Sequence, residues 1–185
     1  ISCTAAADGN TPITREKTAA MLYGLAEELN VSVELPAEQP FSDTDSREVS
    51  ALYNAGILNG VSDTEFAPNE PLSREQMCTM LVRLIGKANT EVDITVHPRY
   101  MYDDNSFVSY WAKSAVDFLY YHKIIEGTAE NTISPLENLT KEQAEALCDR
   151  VAEHKADFVL KTETPDFSWA IEPKFDGLVP NTRFA

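Results

Sequence analysis

Ile13-Thr14-Arg15-Glu16, Leu72-Ser73-Arg74-Glu75 and Leu139-Thr140-Lys141-Glu142 are three versions of one phrase, with their basic residues 59 and 67 positions apart. An internal repeat of this kind sets how the rest of the chain divides. In each copy a hydroxyl residue precedes a basic and an acidic one, which marks a helix start. The hydroxyl accepts an orphan first-turn amide, and the carboxylate sits at the positive end of the helix dipole. Ser73 and Thr140 are followed three residues later by Gln76 and Gln143, completing capping boxes, whereas Thr14 has Lys17 at that place. Leu72 and Met77 have the separation of a hydrophobic staple.

Behind these caps come Ala20, Met21, Leu22 and Leu25, then Met77, Met80, Leu81, Leu84 and Ile85, then Ala144, Leu147, Cys148 and Val151. Spacings of three and four place each set on one helical face, and three such helices bury their stripes against one another as a small central bundle. Methionines on this stripe are core packing. Working upstream, Phe66-Ala67-Pro68 and Ile133-Ser134-Pro135 share offsets from Arg74 and Lys141, and Gly60 and Gly127 each stand fourteen residues before the basic position. An opening helix precedes each loop: Val49, Leu52 and Tyr53 lead into Ala55-Gly56-Ile57, and Trp111, Ala115, Val116 and Leu119 lead into Lys123-Ile124-Ile125. Gly56 suits the left-handed residue that stops a helix, and Lys123 suits it less. The expected unit is helix, loop with an extended touch, capped helix. The chain then divides into the closing half of a first unit (1–33), a second unit (34–88), a third (89–155) and a tail (156–185).

Composition narrows the function. The 185 residues are 43% hydrophobic and 24% charged, which is globular, and the formal net charge of -15 disfavours nucleic acid and anionic membrane surfaces as partners. No apolar stretch approaches the roughly 20 residues of a bilayer span. Three cysteines imply no disulfide framework, and Cys78 and Cys148 read as small buried hydrophobes. Thirty acidic residues invite a glycosidase reading, but no acid pair at a working separation is legible, and His97, His122 and His154 lack metal-ligand or nucleophile spacing. The expectation is a protein that is not an enzyme and needs no metal or cofactor.

The order and offsets of these motifs resemble the S-layer homology (SLH) family over about residues 8 to 155. The second unit carries Phe41-Ser42-Asp43, Gly56-Ile57, Gly60 and Phe66-x-Pro68, and the third carries Asp104 and Trp111-Ala112. The resemblance implies a mainly α pseudo-threefold helical bundle that holds a protein non-covalently on secondary cell-wall polysaccharide, often pyruvylated, at the outer surface of bacteria. By the same resemblance, Arg15, Glu16, Gly60, Arg74, Glu75, Asp104, Trp111, Gly127 and Lys141 would line glycan grooves between units. A guanidinium grips a carboxylate or sugar hydroxyls bidentately, an aromatic face stacks on a sugar, and glycine admits close backbone approach.

Each of these residues also has a structural reading. The arginines suit solvated or ion-paired helix starts, Trp111 on an apolar stripe suits burial, Asp43 and Asp104 suit caps of the opening segments, and the glycines suit turns. Lys141 replaces the planar fork by a point charge, and the second unit has no Trp. These departures support a different expectation, a degenerate module acting as spacer or protein-docking unit. The missing opening helix of the first unit predicts one exposed groove, filled by the tail, by upstream residues or by self-association with a second copy. In the tail, Trp169-Ala170-Ile171-Glu172-Pro173-Lys174-Phe175-Asp176 resembles WG-type β-repeats, which implies an irregular or short β segment opening a further domain.

Overall fold

The computed structural model describes residues 11–36, 38–89, 92 and 102–158. Six α-helices follow one another among them: α1 (Arg15–Glu28), α2 (Arg47–Asn54), α3 (Arg74–Ala88), α4 (Lys113–Tyr121), α5 (Lys141–Glu153) and the short α6 (Lys155–Phe158), with a 3-10 turn over Asn105–Phe107. The repeated phrase starts α1, α3 and α5. Thr14, Ser73 and Thr140 cap them, and both capping boxes are formed. These three helices pack on one another, while α2 lies on α1 and α4 lies on α3. An opening helix therefore packs on the closing helix of the preceding unit as well as leading into its own.

Above the helix starts the three extended touches meet. Ile13 N–H donates to Leu139 O at 2.8 Å, Leu139 N–H to Leu72 O at 3.0 Å, and Leu72 N–H to Ile13 O at 3.2 Å, closing a three-membered ring of main-chain hydrogen bonds. Antiparallel bridges Pro12 to Thr140, Thr14 to Pro71 and Ser73 to Asn138 run around the same ring. Ile13, Leu72 and Leu139 point into the core, where each is buried, together with Leu22, Met77, Leu81, Leu84, Leu147 and Val151. On α1 the buried stripe is Ala19, Leu22, Leu25 and Ala26, whereas Ala20, assigned to it from spacing, is exposed. Cys78 and Cys148 are buried free thiols, and burial pushes each up to about 12. Cys3, His97, most of the connection from residue 89 to 100 and the tail beyond Phe158 lie outside the described residues.

Three helices end alike. Asn30, Gly56 and Lys123 have φ of 57°, 73° and 58°, and Val31, Ile57 and Ile124 donate back to Ala26, Leu52 and Leu119 carbonyls at 2.8, 2.9 and 2.9 Å. This is the Schellman arrangement, with a branched apolar side chain locking the exit. Lys123 thus adopts the conformation that glycine adopts at low cost, which strains an L-residue. Lys123→Gly should raise the unfolding free energy by about 0.5–1 kcal/mol. Gly56→Ala should lower it by a similar amount of about 0.5–1 kcal/mol, since an added Cβ meets nothing within 4 Å and only the backbone preference changes. Urea titrations of the two variants measure both effects.

Candidate functional site

The sequence-predicted residues gather at two interfaces, each made by the start of a closing helix and the loop of the next unit. At the first, the α1 amides Arg15 and Glu16 donate to Glu70 O and Pro68 O at 2.9 and 3.1 Å, while Lys17 donates to Thr14 Oγ1 and Thr18 to Thr14 O. The orphan amides of Arg15, Glu16 and Lys17 are thereby satisfied, one by the cap side chain and two by the neighbouring unit, and Thr18 closes the first intrahelical bond. At the second, Arg74 and Glu75 donate to Glu137 O and Pro135 O at 2.9 and 3.0 Å, and Gln76 and Met77 to Ser73. A helix start that finds half its partners in the next repeat cannot form the same contacts alone.

The motif side chains tie the same joints. Arg15, 6% exposed, donates from Nε to Phe66 O at 2.8 Å and from a terminal nitrogen to Asn59 O at 2.9 Å, with its guanidinium carbon 4.6 Å from the Phe66 ring centre. Burial lowers its pKa from 12.5 and the nearby Asp43 opposes that, so the side chain stays cationic. Glu16 accepts from Thr44 Oγ1 at 2.6 Å. Glu75, itself buried, accepts from Ser109 N–H at 2.9 Å and Ser109 Oγ at 2.7 Å, so in both units the motif carboxylate holds a hydroxyl just ahead of the next opening helix. Arg74, 8% exposed, donates to Glu126 O at 2.7 Å, but its Nε is buried without a partner. Burial lowers its pKa first; Cys78 and Glu137 counteract that effect, while Arg150 adds to it.

The aspartates do not cap the opening segments. Asp43 receives the Phe66 and Ala67 amides at 2.8 and 2.7 Å, and Asp104 receives Ile133 at 3.1 Å and Ser134 at 2.7 Å. Each thereby fixes a turn in which a non-glycine residue, Ala67 or Ser134, has φ of 58° or 53°. The glycines are required by space. A Cβ on Gly60 would lie 2.5 Å from the Phe41 ring, 2.5 Å from Ser62 O and 2.6 Å from Glu65 O, and one on Gly127 would lie 2.6 Å from Thr132 O and 2.8 Å from Ala129 O. Lys141 stands apart, exposed and paired with Glu145 at 3.2 Å one turn along α5.

Trp111 departs from the burial that its apolar spacing suggests. α4 begins at Lys113, so Trp111 sits in the turn ahead of it, 55% exposed, beside Tyr110 at 94% and Phe107 at 65%. Sequence reasoning also passed over Arg150, which reaches from α5 to Ile124 O at 3.0 Å and to the Glu126 carboxylate at 3.1 Å. Its recurrence at Arg83, nine residues after the basic residue in both units, was the available signal. Where a third interface would lie, a shallow depression of about 170 Å³ between α1 and α5 is lined by Met21, Leu25, Glu28, Glu145, Cys148 and Asp149. Among the described residues no opening helix packs on α5. No cluster of His, Cys, Asp and Glu suited to a metal ion is found among them, and no helix is long and apolar enough to cross a membrane.

Gly60→Ala, which must displace main chain on two sides, should destabilise the protein by about 1–3 kcal/mol in urea unfolding. The Phe66 amide first, with the Ala67 amide and Arg15 helping and desolvation opposing, holds the Asp43 carboxyl below its ordinary 3.8. A carboxyl depressed in the folded state stabilises above its unfolded pKa and loses that contribution as pH falls through the folded value. Unfolding free energy should therefore decline below pH 3.8, and Asp43→Asn should make that decline shallower. Equal slopes for the two proteins in a series of acid-pH melts would count against this role.

The S-layer homology domain model matches residues 40–78 and 102–145. Over 133 residues the chain is 35% identical to an endoglucanase of Bacillus sp. (strain KSM-635), a stretch covering 68% of this chain and 14% of that protein. A surface-layer 125 kDa protein of Lysinibacillus sphaericus is 29% identical over 109 residues, 57% of this chain and 9% of the relative. A cell surface protein of Thermoanaerobacter kivui is 25% identical over 119 residues, covering 62% and 15%. The chain spans less than a sixth of each relative, so the endoglucanase name carries no activity across. The repeated helix starts, the inter-unit joints and these matches agree: the chain belongs to the S-layer homology family, with SLH domains at residues 40–78 and 102–145.

Proposed function

We propose that this module attaches the protein that carries it to the bacterial cell surface by binding secondary cell-wall polysaccharide. The SLH domain is a non-catalytic anchoring module, and relatives named as surface-layer and cell surface proteins support the coarser role at the cell surface. The observation that carries the glycan reading is the exposure of Trp111, 55% open to solvent two residues after Ser109, which the Glu75 carboxylate holds. An indole anchored at a rigid joint and left facing water offers an apolar face at little entropic cost. Arg74 enters the same joint with its Nε buried and without a partner. Arg15, with Nε and one terminal nitrogen on main-chain carbonyls, serves mainly to hold its joint.

A second reading, a spacer or protein-docking unit, is favoured by how many motif side chains are occupied within the fold: Glu16, Glu75, Asp43 and Asp104 all have partners in a neighbouring segment. Retention on purified walls separates the two. The wild-type chain should bind walls with intact secondary polysaccharide and lose retention on stripped walls. Trp111→Ala should weaken binding at least about tenfold, a loss of roughly 1.4 kcal/mol, with thermal stability within about 0.5 kcal/mol of wild type because the side chain is exposed. Equal retention on both walls would leave docking to protein as the surviving function.

A further inference from the structure

The first joint carries a reactive peptide group. Asn59 is the one asparagine of the sequence that glycine follows. It is exposed, and among the described residues its carboxamide makes no hydrogen bond. Gly60 N–H also donates to nothing among them, although the next two amides, of Val61 and Ser62, both reach Glu65 O. The carboxamide carbon and this amide nitrogen are the two ends of a five-membered ring, and with no Cβ on Gly60 no side chain stands in the way of its closure.

Arg15 acts on the same peptide group. A terminal nitrogen of its guanidinium donates to Asn59 O at 2.9 Å, and that oxygen belongs to the amide whose nitrogen is Gly60 N. Amide resonance places on this oxygen much of the negative charge left when the nitrogen gives up its proton. A cationic donor, itself held by the bond from Nε to Phe66 O at 2.8 Å, is therefore in place to stabilise the anion as it forms. The attack is intramolecular and needs no encounter. The second joint lacks the pair: Arg74 reaches Glu126 O in the same way, but the side chain ahead of Gly127 is a carboxylate, which does not accept such an attack.

We propose that Asn59-Gly60 is a site of spontaneous deamidation, that Arg15 activates the Gly60 amide, and that the first joint therefore changes covalently with age. The Gly60 nitrogen loses its proton to hydroxide and bonds to Asn59 Cγ. The Cγ–Nδ2 bond then breaks, and the leaving nitrogen takes a proton from water to depart as ammonia, returning the hydroxide. Water opens the cyclic imide. Opening at Cγ gives aspartate on an unaltered main chain; opening at the main-chain carbonyl gives isoaspartate, whose chain runs through Cγ. Nothing in this sequence of steps depends on what the module binds.

The two products differ in fit. Aspartate puts a carboxylate fifteen residues before Arg74, where Glu126 stands before Lys141, and Arg83 corresponds to the Arg150 that pairs with Glu126. Isoaspartate adds a main-chain carbon beside Gly60, where even a Cβ would lie 2.5 Å from the Phe41 ring and from Ser62 O and 2.6 Å from Glu65 O. The first product keeps the joint and the second pushes it apart.

The test ages the whole chain in mildly alkaline buffer, folded or unfolded in urea, and follows it by mass-spectrometric peptide mapping and by isoaspartyl methyltransferase labelling. Asn59 should gain the mass difference between an amide and an acid, and should react faster in the folded chain than in the unfolded one. Arg15→Gln, checked for folding by circular dichroism, should bring the folded rate down to the unfolded rate or below it. Asn59→Asp should unfold at the urea midpoint of fresh wild type, and the separated isoaspartyl fraction at a lower one. An Asn59 that reacts no faster folded than unfolded would overturn the proposal without recourse to any variant. A fast reaction undiminished in folded Arg15→Gln would overturn the part given to Arg15, and equal midpoints for the two products would overturn the loss of the joint.

Discussion

The ring of three main-chain hydrogen bonds among Ile13, Leu72 and Leu139 is the constraint on which the rest of the molecule depends. Each residue donates to one neighbour and accepts from the other, so every link of the ring shares a residue with the next. The side chains of the same residues fill the top of the core, which couples the ring to apolar burial. Immediately after each ring residue comes the cap, and immediately after the cap a helix whose first amides face the adjoining loop. The register of α1, α3 and α5 is thus fixed by the ring. The cost of bringing together residues 59 and 67 apart is the loop-closure entropy that the shared core offsets.

From the ring outward, the repeated residues act as joints between units. Arginine suits this work because one planar group bonds two carbonyls and still covers an aromatic face, as Arg15 does over Phe66. The aspartates and glycines act within the receiving loop: the carboxylate gathers two successive amides, and the missing Cβ lets the loop fold onto itself. Arg74 has the same place but not the same bonds, since only one of its donors finds a carbonyl. Two formally equivalent positions thus differ in how far the joint satisfies the guanidinium.

What the sequence made legible were features whose partners are near in sequence: capping boxes, helix stripes, the Gly56 stop, and the loop residues Phe66 and Ile133 that return to the core. What it hid were partners tens of residues away. Arg15 meets Phe66 across 51 residues, Glu75 meets Ser109 across 34, and Asp104 meets Ser134 across 30. Local patterning has no access to such pairs, which is why Asp43 and Asp104 read as caps of their own segments. Trp111 was hidden differently. Its spacing continues the apolar stripe of α4, but the chain enters that helix only at Lys113, and a side chain in the preceding turn is free to face water. Lys123 shows the opposite case: a lysine reads poorly as a helix stop, yet the Schellman bonds on either side hold it in the left-handed region.

The same comparison of equivalent positions explains why the third interface differs. Four and eight residues into the closing helices stand Ala19 and Tyr23, Cys78 and Val82, and then Glu145 and Asp149. The first two pairs belong to helices on which an opening helix lies, and Cys78 and Val82 are buried. The third pair is charged, on a helix without such cover among the described residues, and lines the depression beside α1. Burying two carboxylates under an apolar helix face would carry a large desolvation cost, so this face is suited to water or to a cationic partner rather than to the kind of helix that covers α1 and α3. A net charge of -15 is therefore unevenly distributed in its consequences: among the described residues acid lines the side without a joint, while the guanidiniums of Arg15, Arg74 and Arg150 are drawn into the two joints.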